Sequence, residues 1–221
     1  MRTNLLLLSL FIFSYTLAQK ERKVSTSYGY KTTQLTTITK DTPQAIQTDK
    51  FYLNSTSNAL VKGGKNRIIL PVYLPENTQE WFYRYTASRN ENDINNTLKT
   101  FNLAGELTEY INSKNPLKGA VNNLTTPPGA DICDIYVMTE SNAKLFKEKE
   151  DFEYVISASR ENYKSGTVMV KNNNQELIYL GINNPDSLHG IHVAVEIVAI
   201  VAQESQIEET IRIPIYTYYL E

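Results

Sequence analysis

The sequence predicts a mainly β fold, an antiparallel β-sandwich with one or two short helices. Short runs rich in Val, Ile, Tyr and Phe follow one another from residue 51 to the end of the chain. Gly, Pro, Asn and Asp separate these runs at roughly ten-residue spacing, as turns do between the strands of a sandwich. The 221 residues are 41% hydrophobic, which is enough apolar material for one substantial core or two small ones.

Residues 19–49 differ from the rest of the chain because they are polar, rich in Thr and Ser, and poor in bulky apolar side chains. Such a segment buries little apolar area to offset the entropy that is lost when it becomes ordered. We therefore expect either a polar N-terminal tail or a weakly held first strand here. Residues 50–221 are expected to form a single β-sandwich domain.

The first strands of that domain have distinctive side chains. Residues 67–74 contain Pro71, and proline lacks the N–H group that a sheet ladder needs, so we expect this strand to lie at a sheet edge or to carry a bulge there. Residues 80–87 are the most aromatic strand candidate of the chain. Residues 90–96 are polar and are expected to form a loop.

Two segments follow helical rather than β spacing. Between residues 97 and 113 the apolar side chains recur three, four or six positions apart, which predicts a helix that starts at Thr97 and is weakened by Gly105. Residues 141–148 predict a shorter helix with Ser141 as its cap.

The C-terminal half returns to β-forming runs. The Asn-rich residues 172–174 lie between two such runs and predict a hairpin of 166–170 with 176–181. Residues 191–202 are nearly uncharged and become apolar on both alternating faces, which predicts a central strand covered on both sides. Residues 211–220 predict a final strand with an internal proline.

The N-terminus has the three parts of a secretory signal peptide over residues 1–18. Arg2 supplies the positive charge and residues 5–13 are almost entirely apolar. Thr16 and Ala18 are the small residues at the −3 and −1 positions of a cleavage site. A membrane anchor is the alternative, but the apolar segment as a helix would cover about 20 Å of a roughly 30 Å hydrocarbon core. We therefore expect cleavage after Ala18, a secreted protein that is periplasmic or extracellular, and no transmembrane span after removal of the leader.

The charge balance and the scarcity of reactive residues argue against several classes of function. A formal net charge of −2 is not typical of a nucleic-acid-binding protein. The single cysteine, Cys133, excludes an intramolecular disulfide and a multi-cysteine metal site. His189 and His192 are three residues apart, so on a strand they point to opposite faces. Since no Gly-x-Ser-x-Gly motif or Gly-rich phosphate loop is present either, we expect a non-enzyme without metal or cofactor.

Trp81, Tyr83 and Tyr85 lie at period two in the aromatic strand and therefore share one face. Exposed, the three rings would form a platform that stacks on sugar rings; buried, they would be part of the core. We name them as the candidate ligand-binding residues and leave both alternatives open. A second candidate patch, for a protein partner, consists of the C-terminal tyrosines Tyr216, Tyr218 and Tyr219.

The middle of the chain also resembles a known family of domains. Residues 133–146 run Cys-Asp-Ile-Tyr-Val-Met-Thr-Glu-Ser-Asn-Ala-Lys-Leu-Phe, a strand that leads into a helical turn with an acidic residue and Asn. This segment resembles part of the GOLD-like β-sandwich domains. Four further segments are similar to the same family: residues 154–166, residues 177–184, the Val-x-Val strand after residue 192, and the Leu-Pro-x-x-Thr-x-x-Trp segment before residue 82. The resemblance covers residues 50–202 and implies a jelly-roll or GOLD-like sandwich that is a binding and interaction module rather than an enzyme. The leader, the helix near residue 100 and the strand after residue 203 depart from the family pattern.

These observations favour a secreted, non-enzymatic binding domain whose partner is a protein or a glycan at the cell surface or in the periplasm. The alternative is a structural or assembly component of a cell-surface or periplasmic complex. In that case the proline-containing edge strands or residues 19–48 would pair with another chain, because edge strands offer unpaired backbone groups. A third hypothesis, a hydrolase, is disfavoured by the shortage of histidine and the absence of a nucleophile motif.

Overall fold

The computed structural model describes residues 22–61, 63–173 and 175–220, so the expected leader at residues 1–18 lies outside the described part. The contacts divide the chain into two units. One unit is Thr39–Glu204, and the other combines the segment that ends at Ile38 with the segment that starts at Ser205. Each unit is described separately below.

Strands and short helices alternate along the described chain. The strands are β1 (Arg22–Leu53), β2 (Arg67–Tyr73), β3 (Thr78–Ser88), β4 (Cys133–Met138), β5 (Arg160–Tyr163), β6 (Ser165–Lys171), β7 (Leu177–Asn183) and β8 (Ile191–Leu220). The α-helices are α1 (Thr56–Val61), α2 (Glu91–Leu98), α3 (Leu103–Asn112) and α4 (Glu140–Glu148), and 3₁₀ turns cover Leu117–Asn123 and Ile156–Ala158.

The strands form two four-stranded sheets, and the fold is the mainly β, sandwich-like fold that the sequence predicts. The first sheet has the order β1-β8-β3-β6 and the second the order β2-β7-β4-β5. The pairs of β3 with β6 and β8, and of β7 with β2 and β4, are antiparallel. Pro71 lies in β2 at the edge of the second sheet, as its missing N–H predicts.

The main core lies between the two sheets, within Thr39–Glu204. It is built from the inward faces of β3 and β8 on one side and of β2, β4 and β7 on the other. Its largest buried members are Trp81, Tyr83, Tyr85, Leu53, Ile135, Leu180, Ile182 and Ile197. Phe51 and Ile46 of β1 pack against its margin.

Helices cover the outer face of each sheet. On the first sheet, Phe82, Val198 and Ile200 pack against α3 and the first 3₁₀ turn. On the second, Tyr136 and Met138 pack against α4 through Ala143 and Phe146. Residues 193–200 of β8 are therefore buried on both faces, which confirms the central strand predicted from the two apolar faces.

Several predicted elements differ from the structure. Residues 90–96, expected as a loop, mostly belong to α2, whose first turn is capped by the Asn90 side chain accepting from the N–H of Asn92 at 3.0 Å. The single helix expected over residues 97–113 is two helices, because the chain turns after α2 and α3 begins only at Leu103. The Glu196 carboxylate on β8 accepts a hydrogen bond from the Leu103 N–H at 2.9 Å and thereby caps the N-terminus of α3. Because this cap comes from a residue far away in the sequence, the local sequence does not predict it.

The predicted hairpin at residues 172–174 is wrong. β6 pairs with β3 in the first sheet, whereas β7 pairs with β2 and β4 in the second. The Asn172 side chain donates to the Thr78 carbonyl at 3.0 Å and accepts from the Gln175 N–H at 3.0 Å, which stabilises a connection from one sheet to the other. Asn-rich turns suit both kinds of connection, so composition alone does not separate them.

The second unit contains the N-terminal part of β1 and the C-terminal part of β8. Residues 22–38 and 205–220 are strand, and we call these two segments the ribbon. A Cβ atom built on Gly29 would lie 2.7 Å from Cδ1 of Ile215, so the two strands are in contact. The segment 19–49 is thus extended from residue 22 onward, and residues 205–220 group with residues 22–38 rather than with the sandwich.

Among the described residues, no helix combines the length and the apolarity that are needed to cross a membrane.

Candidate functional site

The predicted aromatic platform is not at the surface. Trp81, Tyr83 and Tyr85 are each 0% exposed, because their face of β3 points toward the second sheet. Their ring centroids follow one another at 5.9 and 6.0 Å inside the core, and the Tyr83 hydroxyl donates to the Ala158 carbonyl. Burial raises the pKa of Tyr83 and of Tyr85. The hypothesis that these side chains stack on sugar rings is therefore wrong, and they are core residues.

The two histidines lie in different surroundings, because His189 is in the loop before β8 and His192 is in β8. The His192 ring is 4.8 Å from the Tyr52 ring, centroid to centroid. His189 Nδ1 lies 3.5 Å from a carboxylate oxygen of Asp186, whose pKa is lowered to about 2 by the N–H groups of Leu188 and His189 and by Arg89. Within the described ranges, no group of three or more His, Cys, Asp or Glu side chains is placed to hold a metal ion.

Arg89 connects two loops at the same end of the sandwich. Its guanidinium contacts Asp131 at 3.1 Å and Asp186 at 2.6 Å, and its backbone N–H donates to Asp131 at 2.7 Å. Both carboxylates are thus occupied by a permanent cation and by backbone donors. This cluster holds loops together and presents no unpaired base for catalysis.

Cys133 has the surroundings of a core residue rather than of a nucleophile. It is fully buried between the sheets, and its thiol donates weakly to the Tyr163 carbonyl at 3.6 Å. Burial raises the pKa of the thiol, with Asp134 adding to the effect. Because the thiolate is the reactive form, the structure offers no activated cysteine.

Six of the fifteen exposed large apolar side chains among the described residues lie on the ribbon. These six are between 37% and 63% exposed, and they are Val24, Leu35, Ile38, Ile211, Ile215 and Tyr216. Ile207, also on the ribbon, is half-buried. The side chains of Tyr218 and Tyr219, predicted together with Tyr216 as a patch, lie outside the described part. A two-stranded ribbon has no layer of its own to bury such groups and is marginally stable in water by itself.

The ribbon also has open hydrogen-bonding edges. β1 is the outermost strand of its sheet. On the other side of β8, the pairing with β3 includes only residues 192–201. Within the described part of the chain, residues 205–220 therefore have only β1 as a neighbouring strand, and both outer edges of the ribbon offer unpaired N–H and C=O groups.

A cavity of about 670 Å³ opens on the sandwich unit between α1, the start of β2 and the end of α4. We call it the basic cavity. Its charged lining residues are all cationic: Lys65, Arg67, Lys147 and Lys149. Phe51, Leu60, Ile69 and Phe146 supply the larger apolar parts of its wall.

Local backbone contacts position one wall of this cavity. The Asn54 N–H donates to the Lys65 carbonyl at 2.9 Å, and the Asn54 side chain donates to the Gly63 carbonyl at 3.0 Å. Gly64 has a φ of +100°, and a Cβ there would lie 2.1 Å from the Asn54 amide nitrogen, so the loop requires glycine at this position. The loop thereby places Lys65 at the rim of the basic cavity.

Sequence reasoning missed both the ribbon's extent and the basic cavity. The polar composition of residues 19–49 left a tail and a weakly held first strand as alternatives and did not indicate the length of the strand. The cationic side chains of the basic cavity come from segments about 80 residues apart, and no local motif relates them. The Lys-Gly-Gly-Lys segment at residues 62–65 is the only local sequence feature that indicates positive charge near a turn at this cavity.

Comparisons with known proteins give no further direction: no family model matches the chain, and neither a curated protein nor a solved structure matches it.

Proposed function

We propose that this protein is an exported, non-enzymatic interaction module that assembles with further copies of itself by strand addition at the ribbon. The exposed apolar side chains on the ribbon carry this proposal. These side chains still expose between 37% and 63% of their surface, so covering them with a partner would remove apolar area from water and favour association. The open edges of β1 and β8 supply the backbone groups for an added strand.

The charges of the two ribbon strands favour pairing between unlike strands of different copies. By sequence, residues 22–38 contain three Lys or Arg and no acidic residue, whereas residues 205–220 contain two Glu and one Arg. Two N-terminal strands side by side would repel each other, and an N-terminal strand beside a C-terminal strand would attract. Such head-to-tail addition uses a different surface of each copy, so the expected product is an open chain or a ring of more than two molecules.

The proposal also includes that the protein is exported and that it is not an enzyme. The leader composition of residues 1–18 supports export with cleavage after Ala18, which would leave Gln19 as the first residue of the mature protein. The buried Cys133 and the fully paired carboxylates around Arg89 support a role in contact rather than in catalysis. Burial of the aromatic strand removes the basis for a glycan ligand, so the proposed partner is a protein.

Sedimentation velocity of the mature chain over a range of concentrations tests the assembly. We expect the wild-type protein to grow in mass beyond a dimer as its concentration rises. Leu35→Lys together with Tyr216→Lys places a charge on each ribbon strand and should raise the concentration needed for association about tenfold or more. Mass spectrometry of the exported protein should give an N-terminus at Gln19.

Ile156→Lys together with Leu188→Lys is the matched control, because both side chains are highly exposed and belong to Thr39–Glu204. This control should associate as the wild type does. A wild-type protein that stays monomeric up to its solubility limit would disprove the assembly. Growth that stops at a dimer would disprove the head-to-tail arrangement.

A further inference from the structure

The basic cavity has the volume and the mixed lining of a small-molecule site. Its volume of about 670 Å³ lies within the range of roughly 300–1,000 Å³ that is typical of ligand pockets. Phe146 at its base is 1% exposed, whereas Leu60 at its mouth is 75% exposed. An apolar wall that continues outward to an exposed leucine can hold a hydrocarbon chain or ring.

Within the described part of the chain, the cationic side chains of the cavity form no ion pair with an acidic side chain. None of the ion pairs formed within the described ranges includes Lys65, Arg67, Lys147 or Lys149, and no Asp or Glu lines the cavity. Elsewhere in the same unit, the exposed Lys144 pairs with Glu140 at 2.9 Å. The cavity therefore keeps a positive potential toward a ligand.

Arg67 is held in place before any ligand arrives. Its Nη1 donates to the Phe146 carbonyl at 2.8 Å, and its guanidinium carbon lies 4.8 Å from the centroid of the Phe146 ring. Its Nε is buried and has no hydrogen-bond acceptor in the described structure. Burial lowers the pKa of Arg67, so an anion beside it would compensate a charge that the protein itself leaves partly unsatisfied.

We propose that the basic cavity binds a small amphipathic anion, with an acidic head group on the lysine and arginine side and an apolar body along Phe51, Leu60 and Ile69. The head group is a carboxylate or a phosphate, since both accept charge-assisted hydrogen bonds from Arg and Lys. This site lies in Thr39–Glu204 and does not depend on the assembly of the ribbon.

Titration of the full mature chain with decanoate, kept below its critical micelle concentration, tests the site. Calorimetry gives the affinity, and amide chemical shifts from NMR give the location. We expect saturable binding, with shifts concentrated at residues 59–69 and 146–149. Decyl phosphate in a parallel arm determines which head group binds more tightly. Decyltrimethylammonium has the same chain with a cationic head and should bind at least about tenfold more weakly.

Lys65→Gln with Lys147→Gln is the informative variant, because both side chains are exposed and the fold does not depend on them. It should weaken decanoate binding by about tenfold. Lys99→Gln with Lys118→Gln removes the same charge from exposed sites away from the cavity and should bind as the wild type does. Arg67→Met keeps the aliphatic stem over Phe146 and should weaken binding by about tenfold or more.

Three results would overturn the site: equal affinity for the cationic and anionic amphiphiles, equal affinity of the two lysine double variants, or chemical shifts located elsewhere. The ribbon variant Leu35→Lys with Tyr216→Lys should bind decanoate normally. Loss of assembly and loss of ligand binding are therefore separate observations.

Discussion

Asn184 illustrates how single buried polar side chains hold chain segments together in this protein. It is 0% exposed. Its amide nitrogen donates to the Asn54 carbonyl at 3.0 Å and to the His189 carbonyl at 2.9 Å, and its oxygen accepts from the Asp186 N–H at 3.0 Å. One side chain thereby connects the end of β1 to the loop before β8. A satisfied network of this kind specifies loop geometry as well as adding stability.

Glu196 is the buried carboxylate with the least complete set of partners. One of its oxygens accepts the Leu103 N–H at 2.9 Å, and the other is buried with no donor in the described structure. Burial raises its pKa above the ordinary value of 4.5, and the Leu103 N–H and Arg84 only partly oppose this. The folded state therefore holds the Glu196 proton more tightly than the unfolded state does.

The raised pKa of Glu196 gives stability a definite pH dependence. Between about pH 4.5 and the higher pKa of the folded state, the folded protein binds more protons, so the Glu196 contribution to stability falls as pH rises. Glu196→Gln keeps the acceptor for Leu103 and removes the charge. We expect the variant to be as stable as the wild type at pH 7 or more stable by about 1 kcal/mol, with the advantage lost near pH 4.

Urea unfolding of both proteins across this pH range measures the effect. The difference between them isolates Glu196 from the other carboxylates, which the two proteins share. A variant that is destabilised equally at every pH would show that hydrogen bonding, and not the charge, is what matters at this position.

At the level of elements, helix α3 is attached to the first sheet by an ion pair as well as by apolar packing. Arg84 of β3 is 2% exposed, and its two terminal nitrogens contact the two carboxylate oxygens of Glu106 at 2.7 and 2.8 Å. Glu106 also accepts the Thr125 N–H at 2.8 Å. Burial acts to raise the pKa of Glu106, but the hydrogen bonds from Arg84 and Thr125 outweigh it, so the pKa is lowered.

Removing one partner of this ion pair should lower the free energy of unfolding far more than replacing both partners with apolar residues. Arg84→Met leaves Glu106 without its main counter-charge, and we expect a loss of about 3 kcal/mol in the free energy of unfolding. Adding Glu106→Leu to Arg84→Met removes the unpaired charge and should recover much of that loss. Lys144→Met breaks an exposed pair of α4 and is the control, with an expected change below about 0.5 kcal/mol.

Chemical denaturation of the three variants gives these free energies. Equal losses for the single and the double replacement would mean that α3 is held by packing alone. In that case the Arg84–Glu106 contact would be a consequence of the fold and not one of its supports.

For the whole molecule, the apolar cores lie within one continuous stretch of chain. Every member of the three clusters, from Ile46 to Val201, belongs to the unit Thr39–Glu204. None of the ribbon side chains that the structure describes belongs to any of them. The two units should therefore differ sharply in stability, since buried apolar area provides most of the free energy of folding.

A chain limited to residues 39–204 should fold by itself. We expect cooperative thermal unfolding within a few degrees of the full chain and a monomer at every concentration. A shorter chain, residues 50–204, also removes Ile46, which packs against the main core, and should lose about 1 kcal/mol or more. Circular dichroism and light scattering measure both properties. A fragment 39–204 that unfolds without cooperativity would show that the ribbon supports the sandwich.

The sequence by itself determined the features that depend on local backbone geometry. Side chains alternate along any strand, so Trp81, Tyr83 and Tyr85 had to share a face. A proline without an N–H required either a sheet edge or a bulge at Pro71. The two apolar faces of residues 193–200 likewise required cover on both sides. The β class of the fold follows from such periodicities alone.

Only the tertiary structure decided which face was buried, which strands paired and which charges came together. The aromatic face of β3 is core because the second sheet lies opposite it, and the segment after β6 changes sheets because β7 pairs with β2 and β4. Arg67 and Phe146, partners in the wall of the basic cavity, are 79 residues apart. Contacts over such separations arise from the packing of whole elements, so the spacing of residues along the chain does not predict them.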